Sequence, residues 1–264
     1  MKRKLNVLKT GNTFPAPDKA GAAEKLSELS TDLASKYSTG KFEYKGKMLT
    51  LGQLSDIIAT SRDPEELKAV WEGWRTVAPA MKSGYADIVD IANEGSRELG
   101  FNDTGDLWRG GYDMEAEAFA EEADRLWGQV KPLYDQLHCY VRNGLNEEYG
   151  DEVVPLDQPI RADLLGNMWA QSWGNVYEMV APEGAGDGVD ITKLLAENEY
   201  TVIDMVKTAE DFFVSMGFEP LPETFWERSL FVKPADREVA CHASAWDVDN
   251  KEDLRIKMLS LIHI

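Results

Sequence analysis

Apolar residues recur at helical spacing along most of this chain. Leu26, Leu29 and Leu33 predict a helix from Ala22 to about Tyr37. Phe42-Glu43-Tyr44 and Lys47-Met48-Leu49 read as a short hairpin or as loop, and Leu51 to Thr60 as a short helix. Asp63-Pro64-Glu65-Glu66 is a strong helix start: a capping carboxylate, a proline in the first turn, and acids at the positive end of the dipole. Leu67, Val70, Trp71, Trp74 and Val77 continue that helix until Pro79, which should kink or end it. Tyr85, Ile88, Ile91 and Ala92 carry the same period to Leu99-Gly100. From Asp113 to about Tyr149 the stripe Phe119, Ala123, Leu126, Val130, Leu133, Leu137 and Val141 predicts one long helix, bent at Pro132. Ala181 to Gly188 is loop by composition. Val202, Met205, Val206, Ala209, Phe212, Phe213 and Met216 place one face on a helix from Thr201 to Met216, and Gly217 stops it. The pattern changes only near the end, where Leu230-Phe231-Val232 and Val239-Ala240-Cys241 read as strands.

These elements predict a mainly α chain with a small β element near residues 229–257. Residues 1–20 are polar, with Gly11, Pro15 and Pro17, and read as a flexible lead. No internal repeat and no linker is visible within 21–258, which reads as one mostly helical domain.

Composition narrows the function. Hydrophobic residues make up 43% of 264 residues, so a core can be buried, and eight tryptophans suit a packed helical protein or a binding cleft. The net charge of −19 repels nucleic acid and anionic membrane surfaces, and no basic run offsets it. No stretch approaches the roughly 20 apolar residues that cross a bilayer. The basic start has no apolar run after it and makes a poor signal peptide. Two cysteines, Cys139 and Cys241, make no disulfide framework.

The histidines are His138, His242 and His263. A helical His-Glu-x-x-His, which would place two zinc ligands on one face, is absent. No metal ligand set is therefore assigned. His138 reads as a structural helix residue. His242 sits in an expected strand followed by small residues, Ala243, Ser244 and Ala245. Such an edge can pair with an extended peptide, and its histidine can donate to a peptide carbonyl. A core strand with a satisfied histidine accounts for the same residue types. Gln171 lies between Trp169 and Trp173. Its amide could hold a carboxylate with aromatic walls excluding water, or could be a satisfied amide in an aromatic core. Arg75, with Trp71 and Trp74 nearby, reads as cation–π packing, a surface ion pair or an anion site.

Together these clusters resemble the angiotensin-converting-enzyme family of zinc peptidyl-dipeptidases. The matching stretches, in family order, are Ala59-Thr60-Ser61-Arg62, Trp71-Glu72-Gly73-Trp74-Arg75, Leu107-Trp108-Arg109 to Tyr112, Leu164 to Trp173, Asp211-Phe212-Phe213, and Cys241 to Asp247 with Arg255-Ile256-Lys257. They cover roughly residues 21–258. The resemblance implies a helical zincin with a central cleft, releasing dipeptides from peptide C-termini by a zinc-bound water. It implies that His242 bonds a substrate carbonyl near the scissile bond, that Ala243 and Ala245 pair their backbones with the peptide, and that Gln171 holds the terminal carboxylate. Arg75 and Tyr112 match residues at the two chloride sites of animal members. The partners implied are peptide substrates.

The departures shape the expectation. The family's zinc helix, a later glutamate and a later tyrosine are not in this sequence. The resemblance pairs Cys241 with a cysteine just after the Arg-Ile-Lys segment, where Met258-Leu259 stands instead. Such a disulfide would mark the parent enzyme as secreted or periplasmic. The last residues, Leu259 to Ile264, are the translation of CTGTCTCTTATACACATC, a transposase end used in sequencing libraries. They are expected to be a non-native tail. The chain is therefore expected to be an inactive N-terminal fragment. The competing expectation is a complete, acidic, non-catalytic helical peptide binder.

Overall fold

The computed structural model describes residues 1–264 except 113, 183, 186–188, 190, 235, 238, 240–242 and 259–264, and of residue 2 only the backbone. The chain divides into two compact units, Met1–Glu183 and Gly184–Ile264. The division falls in the loop expected at Ala181–Gly188, where the sequence reading saw no linker.

The first unit is helical. Helix α1 (Lys2–Thr10) opens it, followed by α2 (Ala22–Thr39). Strands β1 (Lys41–Tyr44) and β2 (Lys47–Thr50) pair antiparallel, Phe42 opposite Leu49. Their two-residue turn, Lys45-Gly46, has positive φ at both positions, the twist that suits a tight hairpin. Helix α3 (Leu51–Thr60) starts on a Thr50/Gln53 capping box. Helix α4 (Pro64–Arg75) starts on Asp63, whose carboxylate accepts the backbone N–H groups of Glu65 and Glu66. Pro79 sits in a tight turn, Ala78–Met81, that separates α4 from α5 (Lys82–Glu98). Then come α6 (Thr104–Arg109), the long α7 (Ala116–Tyr149) and the short α8 (Tyr177–Val180).

The core forms where α3, α4 and the last third of α7 meet an irregular segment. Leu54, Ile58, Val70, Leu145, Leu164 and Met168 are all essentially sealed from water there. A smaller cluster packs Leu26, Leu29 and Leu33 of α2 on Ile88 of α5. Gly73 lets α4 approach the hairpin: a Cβ on it would lie 2.2 Å from the Phe42 ring. Gly95 does the same for the Pro15 carbonyl, also at 2.2 Å. The residues read as a flexible lead are thus held on α5 and α6, with Pro15 and Pro17 buried. The Trp108 indole donates to the Thr13 carbonyl at 2.7 Å, and the Lys9 ammonium to that of Leu99 at 2.8 Å.

Helix α7 corrects one reading. Its period is as expected and it continues through Pro132, but only the Val141 end of the stripe is buried. Val130 and Leu133 are 53% and 76% exposed. Periodicity reports an apolar face, not whether this chain supplies its cover.

The second unit holds α9 (Ile191–Glu197), α10 (Val202–Ser215), α11 (Glu223–Arg228) and the antiparallel pair β3 (Ser244–Asp247) and β4 (Leu254–Lys257). Helix α10 ends as expected at Gly217, which has φ 94°. Of its expected stripe only Val206 is fully buried. The strands fall later than expected. Leu230 makes a single parallel bridge to Lys257, and residues 240 and 241 lie outside the described residues.

Gly73→Ala is expected to destabilise the chain by about 1–3 kcal/mol through overpacking against Phe42. A thermal melt should show this, with Gly52→Ala, where the added methyl meets only a distant Thr50 hydroxyl at 4.0 Å, as the control.

Candidate functional site

Residues 162–176 are largely irregular, and 163–166 and 168 are buried in the core, so their backbone groups need partners. They find them in specific side chains. Arg161 pairs with the buried Asp163 at 2.6 Å and donates to the Pro64 carbonyl at 2.9 Å, fixing the segment's start to α4. The Asn175 amide donates to the Gly166 carbonyl at 2.7 Å, and Arg62 donates to the Asn175 carbonyl at 2.8 Å. Ala170 adopts φ 54°, a left-handed conformation that costs a non-glycine residue energy. Its N–H donates to the Asn167 carbonyl at 2.9 Å, and its own carbonyl accepts from the Trp173 indole at 3.1 Å.

Gln171 comes next and is exposed. Among the described residues its amide has no hydrogen-bond partner. The flanking Trp169 is half-exposed, while Trp173 packs edge-on to His138 with ring centroids 4.7 Å apart. The reading of Gln171 as a satisfied core amide therefore fails. His138 lies between Trp173 and Tyr134, and its Nε2 is buried without a partner. Burial first, and Arg142 second, hold its pKa below the ordinary value. This supports the structural role expected for it.

Arg75 ends α4. Its guanidinium lies 3.7 Å from the centre of the Trp71 ring, so the cation–π reading holds. It donates to the Met168 carbonyl at 2.5 Å, to the Met168 sulfur at 2.9 Å and to the Trp71 carbonyl at 3.3 Å. Among the described residues no carboxylate pairs with it, and burial lowers its pKa. Tyr112 is exposed and stacks on Phe119 at 4.4 Å. No hydrogen bond or ring contact among the described residues joins Tyr112 to Arg75.

Ala243 and Ala245 belong to the second unit and are exposed. Ala245 lies on β3 opposite Ile256. Strand β4 is bonded on both sides, to β3 and through Leu230, whose N–H donates to the Ile256 carbonyl at 2.9 Å. The other side of β3 pairs with no described residue. Strand β4 is anchored by Asp253, which accepts from Arg228 of α11 at 2.5 Å and from Arg255 at 2.7 Å. Those bonds, that of Arg255 foremost, hold the Asp253 carboxyl at about 2. His242 and Cys241 lie outside the described residues; Cys139 is a free, exposed thiol. Among the described residues no group of three or more His, Cys, Asp and Glu side chains could hold a metal ion. They do not fit a zinc site. No described helix is long and apolar enough to cross a membrane.

Sequence reasoning singled out the stretches holding Arg62 and Asn167 without giving either a role, and passed over Asn175 and Asp253. The Gly166-Asn167 pair was a turn signal. Nothing local announced the other three, whose partners are mostly distant in sequence.

The family model for angiotensin-converting enzyme matches residues 1–263. The chain belongs to the angiotensin-converting enzyme family. It is 40% identical to the angiotensin-converting enzyme of Sus scrofa over 99% of its own length and 20% of that protein's. It is 41% identical to that of Theromyzon tessulatum, over 90% of this chain and 40% of the relative. It is also 41% identical to an angiotensin-converting enzyme-like protein of Mus musculus, over 81% of this chain and 29% of the relative. The chain thus spans less than half of the curated relatives it matches.

The Asp253 carboxyl is depressed from 3.8 to about 2 in the folded chain. Its contribution to stability is therefore complete above the unfolded value and is lost as pH falls from about 4 through 2. Asp253→Asn should flatten the pH dependence of melting in that window, while above it the variant melts lower at every pH.

Proposed function

We propose that this chain is the N-terminal part, residues 21–258, of the catalytic domain of a zinc peptidyl-dipeptidase that removes C-terminal dipeptides from peptides. The observation that carries the reading is Gln171. The backbone of the preceding Ala170 is tied at both its N–H and its carbonyl, while the exposed Gln171 amide has no partner among the described residues. A neutral amide suits a peptide's terminal carboxylate because its N–H groups can donate without the desolvation cost of an ammonium or guanidinium. The side of β3 that pairs with no described residue supports main-chain pairing of a substrate with Ala245; the same role for Ala243 is proposed from the family resemblance. His242 is proposed to donate to the substrate carbonyl near the scissile bond.

Chloride at Arg75, and separately at Tyr112, is proposed from the family resemblance. Supporting it at Arg75 are a guanidinium with no carboxylate partner and the buried, unpartnered Trp71 indole N–H. The parent enzyme is proposed to be secreted or periplasmic. Residues 259–264 are proposed to be non-native. The sequence contains no His-Glu-x-x-His, so hydrolysis is assigned to the parent enzyme and binding alone to this chain. That same observation keeps a non-catalytic peptide binder as the second reading.

The purified chain is expected to release no dipeptide with zinc added. Measurable zinc-dependent release would overturn its assignment as an inactive portion. Calorimetric titration with a short peptide and its C-terminal amide should show preference for the free acid. Gln171→Ala should cut that preference about tenfold or more, as for a hydrogen bond to a charged group. Equal binding of acid and amide by the unaltered chain would sink the carboxylate role.

A further inference from the structure

We infer that Arg75 is a positioning residue, whose guanidinium holds the loop that presents Gln171. The inference rests on Gln171 as the carboxylate grip and goes beyond an anion site. Arg75 is the last residue of α4, a helix seated in the core through Leu67, Val70 and Trp74. Stacking on Trp71 fixes the guanidinium plane, and the bond to the Trp71 carbonyl fixes its rotation. Both remaining contacts go to one residue, the Met168 carbonyl and sulfur. Met168 is buried, three positions before Gln171.

The intervening residues bond within the turn, the Trp169 and Ala170 N–H groups both donating to Asn167, but those bonds do not tie the turn to α4. Ala170 is left-handed and strained, and it relaxes unless both ends of the turn are fixed. Trp173 fixes the far end through the Ala170 carbonyl. Arg75 fixes the near end. A lysine cannot replace it: an ammonium has no planar fork and does not stack in the same way. The orientation of Gln171 is thereby coupled to the end of α4, so whatever draws the guanidinium away from Met168 releases the loop.

The test uses the 264-residue chain with Arg75→Met, Arg75→Lys and Gln171→Ala. Amide hydrogen exchange in residues 167–173 should quicken about tenfold in Arg75→Met, the loss of one charged hydrogen bond. Exchange in 141–149 of α7 should stay unchanged, and preference for free-acid over amidated peptide should fall. Arg75→Lys should fail to restore either, and it serves alone if Arg75→Met does not fold. Unchanged exchange in 167–173, or a uniform rise across residues 1–183, would overturn the inference. If Arg75→Met loosens the loop while Gln171→Ala leaves the free-acid preference intact, the clamp stands and the carboxylate reading of Gln171 fails.

Discussion

An irregular segment that passes through a core must still satisfy its carbonyl groups, and this constraint organises the first unit. Residues 162–176 have no ladder of their own. Each carbonyl that faces inward costs about 1–3 kcal/mol if left unpaired. The chain answers with side-chain donors, Arg62 on Asn175 and Arg75 on Met168 from afar and Asn175 on Gly166 within the segment, while Arg161 ties the segment's start to the Pro64 carbonyl of α4. All three arginines lie on or between elements packed against the segment. A charged donor on a carbonyl is stronger than a neutral one, and a fork can bind two acceptors at once. The packing of α3, α4 and α7 and the presentation of Gln171 are thus consequences of one requirement.

The second unit solves a smaller problem in a similar way. Strand β4 gains one neighbour from β3 and half of another from Leu230. Asp253 then ties it to α11 through Arg228, while Arg255 of β4 itself pairs with the same carboxylate. Among the described residues the strand pair is held from the β4 side.

What was legible in the sequence was what local chemistry decides. The Asp63-Pro64 start, the Thr201 to Gly217 helix and the helical period of α2 need only nearby residues, and all formed as expected. The strands shifted, because Leu230-Phe231-Val232 has strand composition but only Leu230 meets a partner. Gln171 stands out for its flanking tryptophans, yet the guanidinium that bonds its loop at Met168 belongs to Arg75, 96 positions before Gln171. No window along the chain contains that relation. The same holds for the lead residues: polarity and prolines suggested slackness, whereas the gap left by Gly95 gives Pro15 a seat.

The apolar face of α7 carries a consequence of its own. Leu126, Val130, Leu133 and Leu137 meet water along a helix about 51 Å long by its rise per residue. Any body that covers this ladder binds the folded form and not the unfolded one. It therefore raises the folded fraction by mass action. How firmly the chain holds its shape then varies with the company it keeps in solution, and stops being a constant of the sequence.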